Sequence, residues 1–264
     1  MENLEQALGH SLTGEAQQLI NGSKNIYIIP NGNEGPDSVA TALALFYTLK
    51  ELNKNVNIVI DETLPENLKF LIPSLDFISY PKNFVISIPN KVADVSQIFY
   101  DKDEQGLKIH LTLNKGIIKK ENIFFYFSDT KPDLIITLGI KDFKDHMAKK
   151  MDSFGFLLDS PILNIDTSAS LGEGVQENEN FGKINLIRNS SLAETALGLV
   201  KTHTESIKKE AATCFLAGIT AFTENFGNSK VTPETFETAS LLMKRGADLK
   251  IIKENLWKQP QKNY

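Results

Sequence analysis

One stretch near the N-terminus constrains the fold of this 264-residue chain more than any other. Residues 26–45 read IYIIPNGNEGPDSVATALAL: an apolar run, a turn rich in Asn, Gly and Pro, and then small and apolar residues. This order predicts a strand over residues 26–30, a turn, and a helix capped by Asp37 or Ser38. A second apolar run over residues 56–60 predicts another strand, which completes a β-α-β unit.

The alternation of helical and strand patterns continues on both sides of this unit. Residues 2–21 carry apolar residues at helical spacing, which is consistent with one or two short helices before the sheet. Residues 133–139 read DLIITLG, which is typical of a strand buried on both faces. The sequence therefore predicts an α/β fold in which a doubly wound, mostly parallel sheet is flanked by helices.

Residues 84–127 depart from this alternation and are interpreted as an insertion. Strand patterns occupy four segments, 84–88, 96–100, 107–113 and 122–127, with polar turns predicted at 101–106 and 114–116. We interpret the segment as an antiparallel β-meander beside the parallel sheet. An edge extension, a dimer contact and a substrate lid are its open roles.

The C-terminal part of the chain is predicted to be helical. Helical periodicity covers three segments, 192–204, 206–223 and 233–245. Thr232 is a suitable N-cap before the last of them, and Gly246 a suitable C-cap. We interpret residues 1–257 as one domain that the insertion interrupts, with a polar tail over 258–264.

Composition limits the environment and partners of the chain. A net charge of −5 and a pI near 5.5 argue against non-specific nucleic-acid binding. There is no basic, apolar leader and no run of 18 apolar residues, so the sequence predicts a cytoplasmic protein without membrane contact. The single cysteine, Cys214, lies among apolar residues and is interpreted as a small core residue.

Several further segments keep the order of the motifs of one known family. They read DLIITLG at 133–139, NIDTS at 164–168, NFGKIN at 180–185, SSLAET at 190–195, LAGITAFTENF at 216–226 and TFETASLLMKRGAD at 235–248. Together with the first turn, they resemble the DHH phosphoesterase superfamily of RecJ-like exonucleases, oligoribonucleases and exopolyphosphatases. The resemblance spans residues 22–257, and the insertion is its main interruption. It includes residues 65–70, which resemble the short helix that the family places after its second strand. Active members usually carry a separate C-terminal substrate-binding domain, and we expect none in this chain.

The first turn shows what the resemblance implies about metal binding. In the superfamily it reads roughly H-x-N-P-D-x-D and supplies one His and two Asp to a pair of Mn²⁺ ions. In this chain Asn31 aligns with the His and Asn33 with the Asn. Gly35 aligns with the first Asp, and Asp37 with the second. If Pro36 and Asp37 are aligned instead with the Pro-Asp dipeptide of the superfamily, a single carboxylate again remains.

The other ligand positions have lost their metal-binding side chains as well. Gly139 stands where a bridging Asp is usual, and Phe222 where the last ligand Asp is usual. Asp166 keeps the Asp of the DHH signature, which mainly orients a His in the family, while Thr167 and Ser168 replace both His. Two divalent cations about 3.5–4 Å apart need bridging carboxylates and imidazoles. The resemblance therefore implies a preserved scaffold with a degenerate metal site, no catalytic residue and no expected cofactor.

The favoured interpretation is a catalytically deficient DHH-like protein with a vestigial ligand cleft. It would bind a phosphate-containing ligand, such as a nucleotide or oligonucleotide, or a protein partner. Its predicted cleft residues are Asn31, Asn33, Gly35, Asp37, Gly139, Asp166, Thr167 and Ser168. The loop 31–35 before the helix is expected to present backbone N–H groups to an anion.

Two alternatives stay open. The first is a divergent phosphodiesterase acting on short oligonucleotides or cyclic dinucleotides, with one Mn²⁺ or Mg²⁺ held by Asp37, Asp166 and either Asp142 or Asp145. The second is a structural or assembly protein, a homodimer included, that associates through the insertion.

Overall fold

The computed structural model describes most of the chain and divides it into two compact units. It describes residues 2–32, 35–59, 66–72, 82–129, 131–141, 143, 146, 160–168, 181–201, 205 and 207–257. Unit 1 comprises Met1–Ser79 and Lys131–Tyr264, and unit 2 comprises Tyr80–Thr130. Among the described residues, no helix is long and apolar enough to cross a membrane.

Strands and helices make up most of the described part of the chain. The strands are β1 (Asn25–Pro30), β2 (Asn55–Ile58), β3 (Lys82–Ser87), β4 (Ala93–Asp103), β5 (Gly106–Gly116), β6 (Phe124–Asp129), β7 (Leu134–Leu138), β8 (Ile162–Thr167) and β9 (Ile184–Arg188). The α-helices are α1 (Glu2–Gly22), α2 (Pro36–Glu51), α3 (Leu192–Val200), α4 (Lys209–Phe222), α5 (Pro233–Lys244) and α6 (Leu249–Leu256). A 3-10 helix over Glu66–Leu71 lies where the sequence predicts a short helix.

Unit 1 is built on one parallel sheet, which confirms the predicted fold class. Its five strands lie in the order β2-β1-β7-β8-β9, and every neighbouring pair is parallel. Ile26 and Ile28 point into the larger hydrophobic core, whereas Tyr27 and Ile29 point into a second core on the other face. Because both faces are covered, the strands read as continuous apolar runs rather than alternating ones.

The helices of unit 1 bury their apolar sides in the larger core. Helix α2 packs against α3 and α4, and α4 packs in turn against α5 and α6. Cys214 of α4 is fully buried in this core, as predicted, so that it acts as a small apolar residue.

The N-terminus of α2 corrects one sequence prediction. The helix begins at Pro36, and its N-cap is Gly35 rather than Asp37 or Ser38. Gly35 has φ 99°, a backbone conformation that side chains other than glycine rarely adopt. Pro36 at the first helical position supplies the φ that a helix needs but has no N–H group to offer an anion.

The caps of the C-terminal helices follow the sequence more closely. The Thr232 hydroxyl accepts a hydrogen bond from the amide of Thr235, and Gly246 adopts φ 97° beyond the end of α5. Helix α4 begins at Lys209, later than predicted.

Unit 2 contains the predicted antiparallel strands, but their order is nested. β4 pairs with β5 in a long hairpin, and β3 pairs with β6, so the strands do not follow the sequential order of a meander. The hairpin closes where the Asp103 carboxylate accepts hydrogen bonds from the amides of Gln105 and Gly106. The turn predicted at 114–116 is wrong, because β5 continues through it to Gly116.

One face of this hairpin is apolar and exposed to solvent. Ile98 pairs across the hairpin with Leu111, and Tyr100 with Ile109, so that all four lie on the same face. Ile98 is 71% exposed and Tyr100 75% exposed. The predicted roles of this segment as an edge extension, dimer contact or lid stay predictions.

Candidate functional site

A cleft opens where the carboxyl ends of β1, β7 and β8 meet the helices of unit 1. Its volume is about 200 Å³, and its walls are Pro36, Asp37, Gly139, Thr167, Leu192, Ala221, Phe222 and Lys230. This is the edge of a doubly wound sheet at which ligands usually bind. The cleft therefore brings together Asp37, Gly139 and Thr167, three residues that the sequence predicts for one site.

Asp37 is the second residue of α2, yet its carboxylate accepts hydrogen bonds from the backbone of another helix, α3. Oδ2 accepts a hydrogen bond of 2.8 Å from the amide of Leu192, and Oδ1 accepts one of 3.3 Å from the amide of Ala193. These amides belong to the first turn of α3, which has no partner for them within the helix. The Thr41 hydroxyl donates to Oδ1 at 3.1 Å. Both oxygens of the carboxylate are thus engaged within the fold.

Close packing around Asp37 depends on a glycine in α4. A Cβ atom added to Gly218 would lie 2.6 Å from Oδ1 of Asp37 and 2.9 Å from Cβ of Ala193. Such distances are too short for real contacts, so α4 could not approach α2 and α3 this closely with any other residue there. Gly218 is the glycine of the LAGITAF segment.

Burial disfavours the ionised form of the Asp37 carboxyl group. Its exposed fraction is 7%, and desolvation raises the pKa of its carboxyl from 3.8 to about 7. The hydrogen bonds from Leu192, Thr41 and Ala193 oppose this rise, and the nearby carboxylate of Glu194 adds to it. At neutral pH the group is therefore partly protonated.

The polar residues around β7 tie the strand ends together. The Asn31 side-chain amide donates to the carbonyl oxygen of Gly139 at 2.9 Å, and the Asn31 backbone N–H donates to that of Leu138 at 3.0 Å. The Ser38 hydroxyl donates to the same Leu138 oxygen at 3.0 Å. Asn31, a predicted cleft residue, thus links β1 to β7.

Asp166 and Thr167 are buried at the end of β8. Asp166 is 4% exposed, and its Oδ1 accepts a hydrogen bond of 2.7 Å from the amide of Thr167. Thr167 lines the cleft, and Ser168 follows it half-buried. Two residues before Asp166, the side-chain Oδ1 of Asn164 accepts a hydrogen bond of 2.8 Å from the Thr137 hydroxyl, which joins β8 to β7.

Lys230 is a cleft residue that the sequence analysis missed. Its ammonium nitrogen lies 4.4 Å from the centroid of the Phe222 ring, within the range of a cation–π interaction. Phe222 also lines the cleft, so an aromatic ring and a lysine occupy this side of it. No sequence motif surrounds Lys230, and only the fold brings it to the site.

The remaining predicted residues fall into three groups. Gly35 and Asn31 are not among the lining residues. Gly35 is the N-cap of α2, and Asn31 donates a hydrogen bond to the carbonyl oxygen of Gly139, which does line the cleft. Asn33, Asp142 and Asp145 lie outside the described residues.

The residues of the cleft do not fit a pair of Mn²⁺ ions. The oxygens of Asp37 accept hydrogen bonds from helix amides, and Gly139 and Phe222 of the lining have no side-chain atom that binds a metal. Among the described residues, no group of three or more His, Cys, Asp or Glu side chains is placed to hold a metal ion.

Together, the parallel sheet, its covering helices and the cleft at its carboxyl edge define a doubly wound α/β protein. Its fold is similar to the crystal structure of an exopolyphosphatase-related protein from Bacteroides fragilis, with a TM-score of 0.63 and 17% sequence identity. The match covers 96% of this chain and 62% of the other, so the chain spans about three fifths of that protein's length. No protein-family model and no curated protein matches the chain. At this identity the likeness shows the fold.

Proposed function

We propose that this chain is a DHH-like protein with a degenerate catalytic site, which binds a phosphate-containing ligand in the cleft without metal-assisted hydrolysis. The observation that carries the proposal is that the charged group which the cleft offers to a ligand is a cation and not a carboxylate. The carboxylate of Asp37 accepts hydrogen bonds from the amides of α3, and the cation on the wall is the ammonium group of Lys230. The similarity to an exopolyphosphatase-related protein supports a phosphate as the ligand.

The electrostatics of the cleft are compatible with an anion. Lys230 is exposed and so has its charge available at the mouth of the cleft. Asp37 would repel a phosphate when ionised, but burial raises its pKa to about 7 and so keeps part of the population neutral. A charge-assisted hydrogen bond from an ammonium group contributes about 1.5–3 kcal/mol, enough to orient a phosphate.

Calorimetric titration with inorganic phosphate and with adenosine monophosphate, both in EDTA, tests this function. We expect saturable binding of at least one of them to the metal-stripped protein. Lys230→Gln should weaken binding about tenfold or more, because it removes a charged donor. Lys250→Gln is the matched control: Lys250 is an exposed lysine of α6, 3.9 Å from Glu254 and outside the cleft lining, and its replacement should leave the affinity unchanged.

Two results would contradict the proposal. One is the absence of saturable binding by any phosphate compound in EDTA. The other is binding that appears only with added Mn²⁺ and is followed by hydrolysis, tested with a short oligonucleotide and a cyclic dinucleotide. The second result would favour the divergent phosphodiesterase.

A further inference from the structure

A second cavity lies beside the cleft, at the carboxyl end of β9. Its volume is about 370 Å³, and α1, β9, α3 and α5 contribute to its walls. Lys230 lines both this cavity and the cleft, so the two adjoin at that side chain. Lys230 is therefore within reach of a ligand in either space.

The walls of this cavity are polar and carry charges of both signs. Arg188 and Lys230 are its cations, and Glu194 and Glu234 are its carboxylates. Six of its fourteen lining residues bear a hydroxyl group, so the lining offers many groups that both donate and accept hydrogen bonds. Such a lining favours a ligand that is itself rich in hydroxyl groups.

The charged groups are held in place by contacts within the fold. The Arg188 guanidinium donates to the Thr13 hydroxyl at 3.1 Å, which joins the end of β9 to α1. The Glu194 carboxylate accepts from the amide and the hydroxyl of Ser191, at 3.1 and 2.7 Å. At the other wall, a hydrogen bond from Thr232 lowers the pKa of Glu234, which stays a carboxylate at neutral pH.

A sugar phosphate matches this arrangement better than a bare anion does. Vicinal hydroxyls donate hydrogen bonds to carboxylates such as Glu234, whereas a phosphate would be repelled by them. The cations bind the phosphate, and Lys230 is placed at the boundary between the two spaces. At about 370 Å³, the cavity lies within the usual size range of small-molecule sites.

We propose that the second cavity binds the sugar of a sugar phosphate, the ribose of a mononucleotide included, while its phosphate lies against Lys230. This inference rests on the proposed function and names the ligand class of the same site. It assigns sugar recognition to α5, through Glu234 and Thr238. Thr238 is a half-buried cavity residue one helical turn beyond Glu234.

Calorimetry with three probes separates this inference from the function on which it rests. The probes are inorganic phosphate, ribose 5-phosphate and ribose, each titrated into the full chain. We expect ribose 5-phosphate to bind at least about tenfold more tightly than phosphate. Thr238→Val should reduce that advantage several-fold and leave phosphate binding unchanged, whereas Glu234→Gln should reduce it several-fold while phosphate binds equally or more tightly, because a nearby negative charge is removed. Glu237→Gln is the matched control, since Glu237 is an exposed residue of the same helix outside the cavity lining.

Each outcome decides one of the two proposals. Equal affinity for phosphate and ribose 5-phosphate would overturn the sugar site and leave the phosphate cleft standing. A ribose 5-phosphate preference that neither α5 variant reduces would also overturn the sugar site. Binding of neither phosphate compound would contradict the proposed function itself. Circular dichroism of every variant, which should match the wild-type protein, confirms that the comparison is made between folded chains.

Discussion

Replacing Asp37 with Asn should change how the stability of the protein depends on pH. Burial raises the pKa of the Asp37 carboxyl from 3.8 to about 7 in the folded state, whereas the unfolded chain keeps the ordinary value. Between these two pH values the folded state binds more protons than the unfolded state. The contribution of this group to stability is therefore fully present below about pH 4 and is lost as the pH rises through 7. A shift of about three pKa units corresponds to roughly 4 kcal/mol.

Asn shares the neutral charge of the protonated side chain but not its two acceptor atoms. The amides of Leu192 and Ala193 donate to different oxygens of Asp37, and Asn has only one, so one of these amides loses its acceptor. The Asp37→Asn variant should therefore be less stable than the wild-type protein at pH 4.5, by about 1–3 kcal/mol, and the difference should shift in favour of the variant by up to about 4 kcal/mol at pH 8.5.

Urea unfolding across this pH range, at fixed ionic strength, measures the difference directly as a shift in the midpoint. Asp103→Asn is the control, because the pKa of Asp103 is lowered, chiefly by Lys108, and its removal cannot produce a gain that grows with pH. Parallel pH profiles for the wild-type and Asp37→Asn proteins would refute the reasoning. A variant that loses stability relative to wild type as the pH rises would refute it more strongly.

Three further predictions concern the packing that holds the cleft. Gly218→Ala should lower the free energy of unfolding in urea by about 1–3 kcal/mol, because the added Cβ would overlap Asp37. Gly198→Ala is its control: a Cβ there meets nothing within 4 Å, so this variant should be neutral or raise the free energy of unfolding by up to about 1 kcal/mol. Ser191→Ala should cost about 1 kcal/mol in the same assay, because its hydroxyl caps α3; an unchanged midpoint would count against that cap. Cys214 should react with a thiol reagent only when the protein unfolds, because it is buried and its pKa is raised well above the usual value; rapid labelling of the native protein would contradict this.

The order of strands and helices in unit 1 could be predicted because local patterns carry it. The apolar runs at 26–30, 56–60 and 133–139 correspond to β1, β2 and β7, and strands buried on both faces must be apolar throughout. The N-cap at Thr232 could be predicted for the same reason, since a cap involves residues only three positions apart.

The contacts that decide the chemistry of the site could not be predicted in this way. Asp37 has the sequence of an N-cap for its own helix, but its carboxylate accepts hydrogen bonds from Leu192, 155 positions away. Lys230 lies in the turn between α4 and α5, outside every recognised motif. It lines the cleft only because the packing of these two helices places that turn there. The nested order of β3 to β6 is also a tertiary property, since the same four strand patterns are compatible with a meander.

A titration of the metal-stripped protein with Mn²⁺, followed by calorimetry and by the electron paramagnetic resonance signal of unbound Mn²⁺, tests the central claim most directly. The claim is that the carboxylate of Asp37 serves the amides of α3 and not a metal ion. It predicts that all added Mn²⁺ stays in solution, for the wild-type protein and for Asp37→Asn alike. Stoichiometric uptake of Mn²⁺ by the wild-type protein, lost in Asp37→Asn, would contradict the claim and restore a metal-dependent phosphodiesterase.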